Sequence, residues 1–179
     1  GVLLTAAQLT AMTPLVQPSA RPQWIAALPV TSMGGINVLV RAIAADREPI
    51  SLPSIGGGGP FTADAFAEAV AAGARVTDDV RTSLVPAQLA RLLGDDRGIE
   101  ALQQCTSVLV GGAATRPSLL AAAQSMGIAV TTTYGATETA GGCILDGRPL
   151  PGVSVTADAV TGVLTIAGPC VALGYRGEP

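Results

Sequence analysis

Tyr134-Gly-Ala-Thr-Glu138 gathers an aromatic ring, a glycine, a hydroxyl and a carboxylate within one short stretch. Tyr134 offers a flat face to another ring. Gly135 lets the backbone approach a ligand closely. Thr137 can donate a hydrogen bond to an anion, and Glu138 can hold a hard cation such as Mg²⁺. Ahead of this stretch, Ile128–Thr133 is an apolar, β-branched run that reads as a buried strand. Gly141-Gly142 follows it. Open α/β sheets bind ligands just beyond the carboxyl ends of their strands, so the placement suits a site. A polar turn closing a core strand would have the same composition, and these residues alone do not separate the two readings. Val110-Gly-Gly-Ala-Ala-Thr115 is a second candidate. Gly111 and Gly112 at a strand end would let a flat ligand lie on bare backbone, or they form a strand-to-helix turn ahead of Pro117.

The elements that must position these residues alternate along the chain. Thr5–Pro14 reads as a helix with a cap-type start, and Gln17–Pro22 as a loop. Strands are predicted at Trp24–Leu28, Pro49–Leu52, Val80–Val85, Thr106–Val110 and Ile128–Thr133. Between them, helices are predicted over Ile36–Ala44, Thr62–Ala72, from Pro86 through Gln104, and over Pro117–Met126. Ser54–Pro60 reads as a flexible loop. The Gly56–Gly59 run lacks the strand-to-helix setting of a phosphate loop. This order predicts an α/β fold, a mostly parallel sheet with helices on its faces. After residue 145 the pattern changes. Pro151–Thr156 and Gly162–Gly168 alternate around a turn and read as a hairpin in a small β subdomain. The expected division is therefore an α/β unit over 1–145 and a β unit over 146–179.

Composition narrows the chemistry. There is no histidine, and all ten basic residues are arginine. Within these 179 residues that removes Ser–His and Cys–His catalysis, Schiff-base lysines, histidine metal sites and a P-loop lysine. A net charge of −3 without clustered arginines argues against nucleic-acid binding. No apolar run is long enough to cross a membrane, and no export signal is visible. Cys105, Cys143 and Cys170 are too far apart for a zinc knuckle and read as reduced thiols of a cytoplasmic protein.

Together the motifs resemble one superfamily. Val108-Leu-Val-Gly-Gly-Ala-Ala114, Thr132-Thr-Tyr-Gly-Ala-Thr-Glu138, Gly147-Arg-Pro-Leu-Pro-Gly-Val153, Gly162–Pro169 and Gly174-Tyr175 stand in the order and spacing of the adenylate-forming acyl-CoA synthetases. Thr82–Leu89, Tyr134–Gly142 and Asp146-Gly-Arg-Pro-Leu150 resemble in particular the o-succinylbenzoate–CoA ligases of menaquinone biosynthesis. The resemblance covers nearly the whole chain. It implies that a carboxylate attacks the α-phosphate of ATP, giving an acyl-adenylate and pyrophosphate, and that coenzyme A then displaces AMP. Such chemistry needs charge stabilisation on phosphate more than a protein base.

The resemblance also implies roles. Tyr134 would pack along adenine, with Gly111, Gly112 and Ala113 as the opposite wall and Thr133 and Gly135 near its edge. Thr137 would contact the α-phosphate, and Glu138 would hold Mg²⁺. Ser32, Gly35, Ser83 and Gly142 would border the acyl group. The family's phosphate loop with its lysine would lie before Gly1. Its ribose-binding aspartate and lysine-bearing C-terminal domain would lie after Pro179. The chain is therefore expected to be the central part of a larger enzyme, inactive by itself. Ser32 stands where the family usually has a histidine. That leaves open a ligase for another carboxylic acid, or a relative that binds nucleotide or acyl ligands without turnover. The expected partners are a small carboxylate, ATP and CoA, with a homodimer as the one protein assembly considered.

Overall fold

The computed structural model describes residues 1–16 and 21–178, so most of the loop read over Gln17–Pro22 lies outside the described residues. Seven strands form the main sheet: β2 (Gln23–Ala26), β3 (Ile50–Ser51), β4 (Val80–Leu84), β5 (Ser107–Val110), β6 (Val130–Ala136), β7 (Gly141–Leu145) and β8 (Arg148–Pro149). Their spatial order is β3-β2-β4-β5-β6-β7-β8. The first five run parallel, and β6, β7 and β8 are mutually antiparallel. The expected parallel sheet is present, with an antiparallel edge, β7 and β8, to which the sequence reading assigned no element. Asp146 (φ 47°) and Gly147 (φ 75°) close the β7–β8 hairpin, both in the left-handed region that a tight two-residue hairpin turn requires.

Helices α3 (Met33–Ala44), α4 (Ala63–Ala74), α5 (Pro86–Leu93), α6 (Asp96–Gln104) and α7 (Pro117–Ser125) fill the connections. Alternate strand residues feed two cores, one on each face of the sheet. Ile25, Val80, Leu84, Val108 and Val110 join Phe66, Val70, Leu89, Leu92 and Leu102 from α4, α5 and α6. Trp24, Ala26 and Leu109 turn the other way, toward Val38 and Ala42 of α3 and toward Cys143, Leu150 and Cys170. The candidate site lies on this second face.

Several local readings change: the helical region read from Pro86 through Gln104 is two helices, α5 and α6, and the strand read over Ile128–Thr133 runs on to Ala136. The single helix read over Thr5–Pro14 is two, α1 (Ala6–Thr10) and α2 (Thr13–Val16). Proline is accepted in the first turn of a helix and not in its interior, so Pro14 belongs to a new helix. α3 begins at Met33 rather than Ile36, because Ser32 Oγ caps it by accepting from the Gly35 amide at 3.2 Å. Pro53–Gly56 forms a 3-10 turn inside the segment read as loose.

Beyond the sheet, β9 (Ser154–Ala157) and β10 (Leu164–Ala167) form the expected hairpin. β1 (Val2–Leu3) pairs with β11 (Gly174–Tyr175), bringing the two ends of the chain together. No helix among the described residues is long and apolar enough to cross a membrane.

Candidate functional site

A cavity of about 350 Å³ opens at the carboxyl ends of β4, β5 and β6, beneath α3. Ser83, Gly111, Thr133, Gly135 and Gly142 line its sheet side, and Gly112 and Thr137 lie at its edge. From α3 come Met33, Asn37 and Arg41, spaced four residues apart and so on one helical face. Ser32 also borders the cavity, but its hydroxyl is engaged: it donates to the Pro29 carbonyl at 2.8 Å while capping α3. Gly35 is buried, and a side chain there would stand 2.1 Å from the Pro29 carbonyl oxygen. Its place in the fold is close packing of α3 on the preceding loop.

A second recess of about 280 Å³ adjoins the first. Tyr134, Ala113, Thr115 and Leu120 line it, and Thr133 is common to both. Strand alternation explains the division. Thr133 and Tyr134 are neighbours on β6 and point to opposite faces, so the tyrosine ring stands with Ala113 while Gly111 faces the larger cavity. Gly111 packs closely on β6: a side chain at 111 would meet Thr133 Oγ1 at 2.2 Å. The Tyr134 ring, 53% exposed, is free to receive a flat ligand.

At the edge of the larger cavity, past Ala136, the chain turns sharply. Thr137–Thr139 is a 3-10 turn, closed by left-handed Ala140 (φ 51°). Thr139 Oγ1 accepts from the Ala136 amide at 2.9 Å and donates to the Gly141 carbonyl at 2.8 Å. This buried threonine fixes the turn and leaves the Thr137 side chain exposed. The Glu138 carbonyl accepts from the Ala172 amide at 2.7 Å, and Glu138 Oε1 accepts from the Tyr175 hydroxyl at 2.9 Å. No cluster of three or more metal-ligating side chains exists among the described residues. A lone carboxylate one residue from a cavity-lining threonine suits Mg²⁺ that is held mainly by waters and substrate phosphates.

Arg41 is a cavity residue that the motifs did not single out. Its side chain is 7% exposed, its guanidinium carbon stands 5.2 Å from the centre of the Trp24 ring, and it lines the cavity. No carboxylate pairs with it among the described residues. Burial pushes its pKa down to about 10, so it is still a cation at neutral pH. A buried cation facing a cavity is a receptor for an anion. A lone arginine within an otherwise apolar helical pattern was the available signal.

The parallel sheet and the cavity at its carboxyl edge, with the Tyr-Gly-Ala-Thr-Glu stretch beside it, form an α/β domain with a candidate ligand site. The chain is similar to proteins named probable 2-succinylbenzoate–CoA ligase. It is 37% identical over 98% of its length to those of two Mycobacterium tuberculosis strains, CDC 1551 / Oshkosh and H37Rv, and spans 45% of their length. Its fold is that of o-succinylbenzoate CoA synthetase (MenE) from Bacillus subtilis. The structure of that enzyme with ATP and magnesium ion superposes with a TM-score of 0.83 at 18% identity, over 99% of this chain and 40% of that one. The structure of the same enzyme with the acyl-adenylate intermediate OSB-AMP gives 0.81 at 18% identity, over 99% and 39%. No model of a known protein family matches the chain.

Proposed function

We propose that this chain is the acyl- and nucleotide-binding part of an ATP-dependent 2-succinylbenzoate–CoA ligase. The observation that carries the reading is buried Arg41, facing a cavity that Thr137 also lines. The named substrate of the relatives carries two carboxylates. One must reach the α-phosphate of ATP to be activated; the other must be held elsewhere. Arg41 supplies a fixed cation for the second, inside a pocket otherwise lined by small and apolar side chains.

In this reading the adenine lies against the Tyr134 ring, facing Ala113, with Thr133 at its edge. The shared threonine and the bare backbone of Gly111, Gly112 and Gly135 let the nucleotide pass from that recess toward the cavity mouth. Thr137 donates to the α-phosphate as charge builds on it. Mg²⁺, when bound, neutralises phosphate charge beside Glu138. The substrate rests on Ser83, Gly142 and α3, with Ser32 and Gly35 shaping the helix start. Coenzyme A enters as the second substrate. The chain offers no general base, and the first half-reaction needs none, because a carboxylate is already a nucleophile at neutral pH. Tyr134 and Gly111 open on neighbouring recesses, which favours Ala113 rather than Gly111 as the wall facing the adenine ring. No observation supports a homodimer, and the proposal does not include one.

The test is pyrophosphate release by the full-length protein supplied with ATP, Mg²⁺ and 2-succinylbenzoate. Release is expected, and Glu138→Ala is expected to lower it by about 100-fold without unfolding the protein. Equal turnover by Glu138→Ala would remove Glu138 from the mechanism. A second reading, a binder without turnover, draws on Ser32, whose hydroxyl is committed to capping α3 at the family's histidine position. Acyl and nucleotide binding without pyrophosphate release would select it.

A further inference from the structure

We infer that Asn37 is a positioning residue for the Thr137–Glu138 turn, holding it in register with the helix that walls the acyl cavity. Asn37 is 7% exposed on α3, between Met33 and Arg41 on the cavity face. Its Nδ2 donates to the Ala140 carbonyl at 2.9 Å, across 103 residues of sequence. Ala140 sits at φ 51°, ψ 27°, a conformation in which a Cβ crowds its own backbone, so something must hold it there. The next residue, Gly141, has φ 103°, and a side chain at 141 would stand 2.0 Å from Asn37 Nδ2. The amide fills the space that Gly141 leaves open, and the two positions are complementary.

Thr139 organises the turn internally, and Ala172 and Tyr175 hold it from outside. Asn37 alone among these ties it to the helix that carries Arg41. An acid seated on Arg41 would thereby meet Thr137 and Glu138 at a fixed offset. That is the condition for a bound carboxylate to lie in line with a phosphate. The inference rests on the ligase reading for what Thr137 and Glu138 do, and on geometry alone for the clamp.

The experiment uses the full-length protein as wild type, Asn37→Ala, Ala140→Gly and the double variant. Hydrogen–deuterium exchange of peptides covering 136–141 reads the clamp, and adenylation kinetics read its consequence. Asn37→Ala is expected to speed exchange at 136–141 while leaving 23–26 at the wild-type rate. It should lower kcat by about 30-fold with the carboxylate KM within about threefold of wild type. Ala140→Gly relieves the left-handed strain, so the double variant should recover most of that kcat. Unchanged exchange in Asn37→Ala, a loss confined to KM, or no recovery in the double variant would each overturn the inference. If wild type activates no carboxylate, the ligase reading fails, and the exchange comparison still decides whether Asn37 holds the turn.

Discussion

The Tyr175 hydroxyl donates to Glu138 Oε1 at 2.9 Å, tying the last strand among the described residues to the carboxylate that follows cavity-lining Thr137. β11 is itself pinned to β1, and the Ala172 amide holds the Glu138 backbone. The small β elements therefore orient an acid carried by the main sheet. Partners that orient a metal-binding carboxylate tune its affinity. Tyr175→Phe in the full-length protein is expected to raise the Mg²⁺ concentration for half-maximal pyrophosphate release by about tenfold. The contact is exposed, so the melting temperature should hold. An unchanged Mg²⁺ dependence would show that the hydroxyl is idle.

Arg41 separates binding from stability. Removing a buried, unpaired cation relieves desolvation, while losing it deprives an anionic substrate of its partner. Arg41→Met should raise the KM for 2-succinylbenzoate by about 100-fold, the worth of a charged hydrogen-bonded contact, without lowering the melting temperature. Arg41→Lys keeps the charge and loses the planar fork, so its KM should fall between the two. The pH dependence has a definite sign. The guanidinium is a cation below about 10 and neutral above it, so carboxylate affinity should fade as pH rises through that value in wild type and stay flat in Arg41→Met. Equal KM values in all three proteins would remove Arg41 from the substrate.

The parallel part of the sheet was legible because its strands are short, bounded runs between helical segments, ended by Pro86 after Val80–Leu84 and by Gly111 after the apolar Ser107–Val110. β7 was hidden. Its first residues, Gly141-Gly142, look like a turn, and only the pairing with β6 makes them a strand. Asp146-Gly147 was the local hint, a dipeptide suited to a hairpin's left-handed turn. In the site, Thr133, Tyr134 and Thr137 could be picked by type, at the end of a strand and just beyond it. Asn37 could not. Its partner is a backbone carbonyl far along the chain, and no local pattern encodes that meeting. The split between the Tyr134 and Gly111 recesses follows from strand alternation, which a motif read as a string does not convey.

Gly35 and Gly112 should part company on substitution. At Gly35 a Cβ would stand 2.1 Å from the Pro29 carbonyl oxygen and 2.8 Å from that of Leu28, both rigid backbone. Gly35→Ala should lower stability by about 2 kcal/mol or more, by prising α3 from its loop. Gly112 has only Val85 Cγ1 nearby, at 3.5 Å, but a φ of 79°. Gly112→Ala should cost about 1 kcal/mol of backbone strain. Urea unfolding of the two variants checks the order. A milder effect at Gly35 would mean that α3 can slide, and that its packing on Pro29 does not set the cavity wall.

Cys105 closes α6 with its thiol buried, Sγ donating to the Ala101 carbonyl at 3.5 Å. Burial pushes its pKa from an ordinary 9.0 up to about 12. The folded state thus keeps the proton that the unfolded state releases. The contribution of this thiol to stability is complete below pH 9 and is lost as pH climbs from 9 toward 12. Wild type and Cys105→Ala, unfolded in urea at neutral pH and at mid-window, should differ by about 2 kcal/mol less at the higher pH. The same burial predicts that Cys105 resists alkylation in the folded protein at pH values where the urea-unfolded chain reacts. Labelling in the native state at the unfolded rate would place Cys105 in a segment that opens readily, and the core beneath α6 would then be looser than its packing implies.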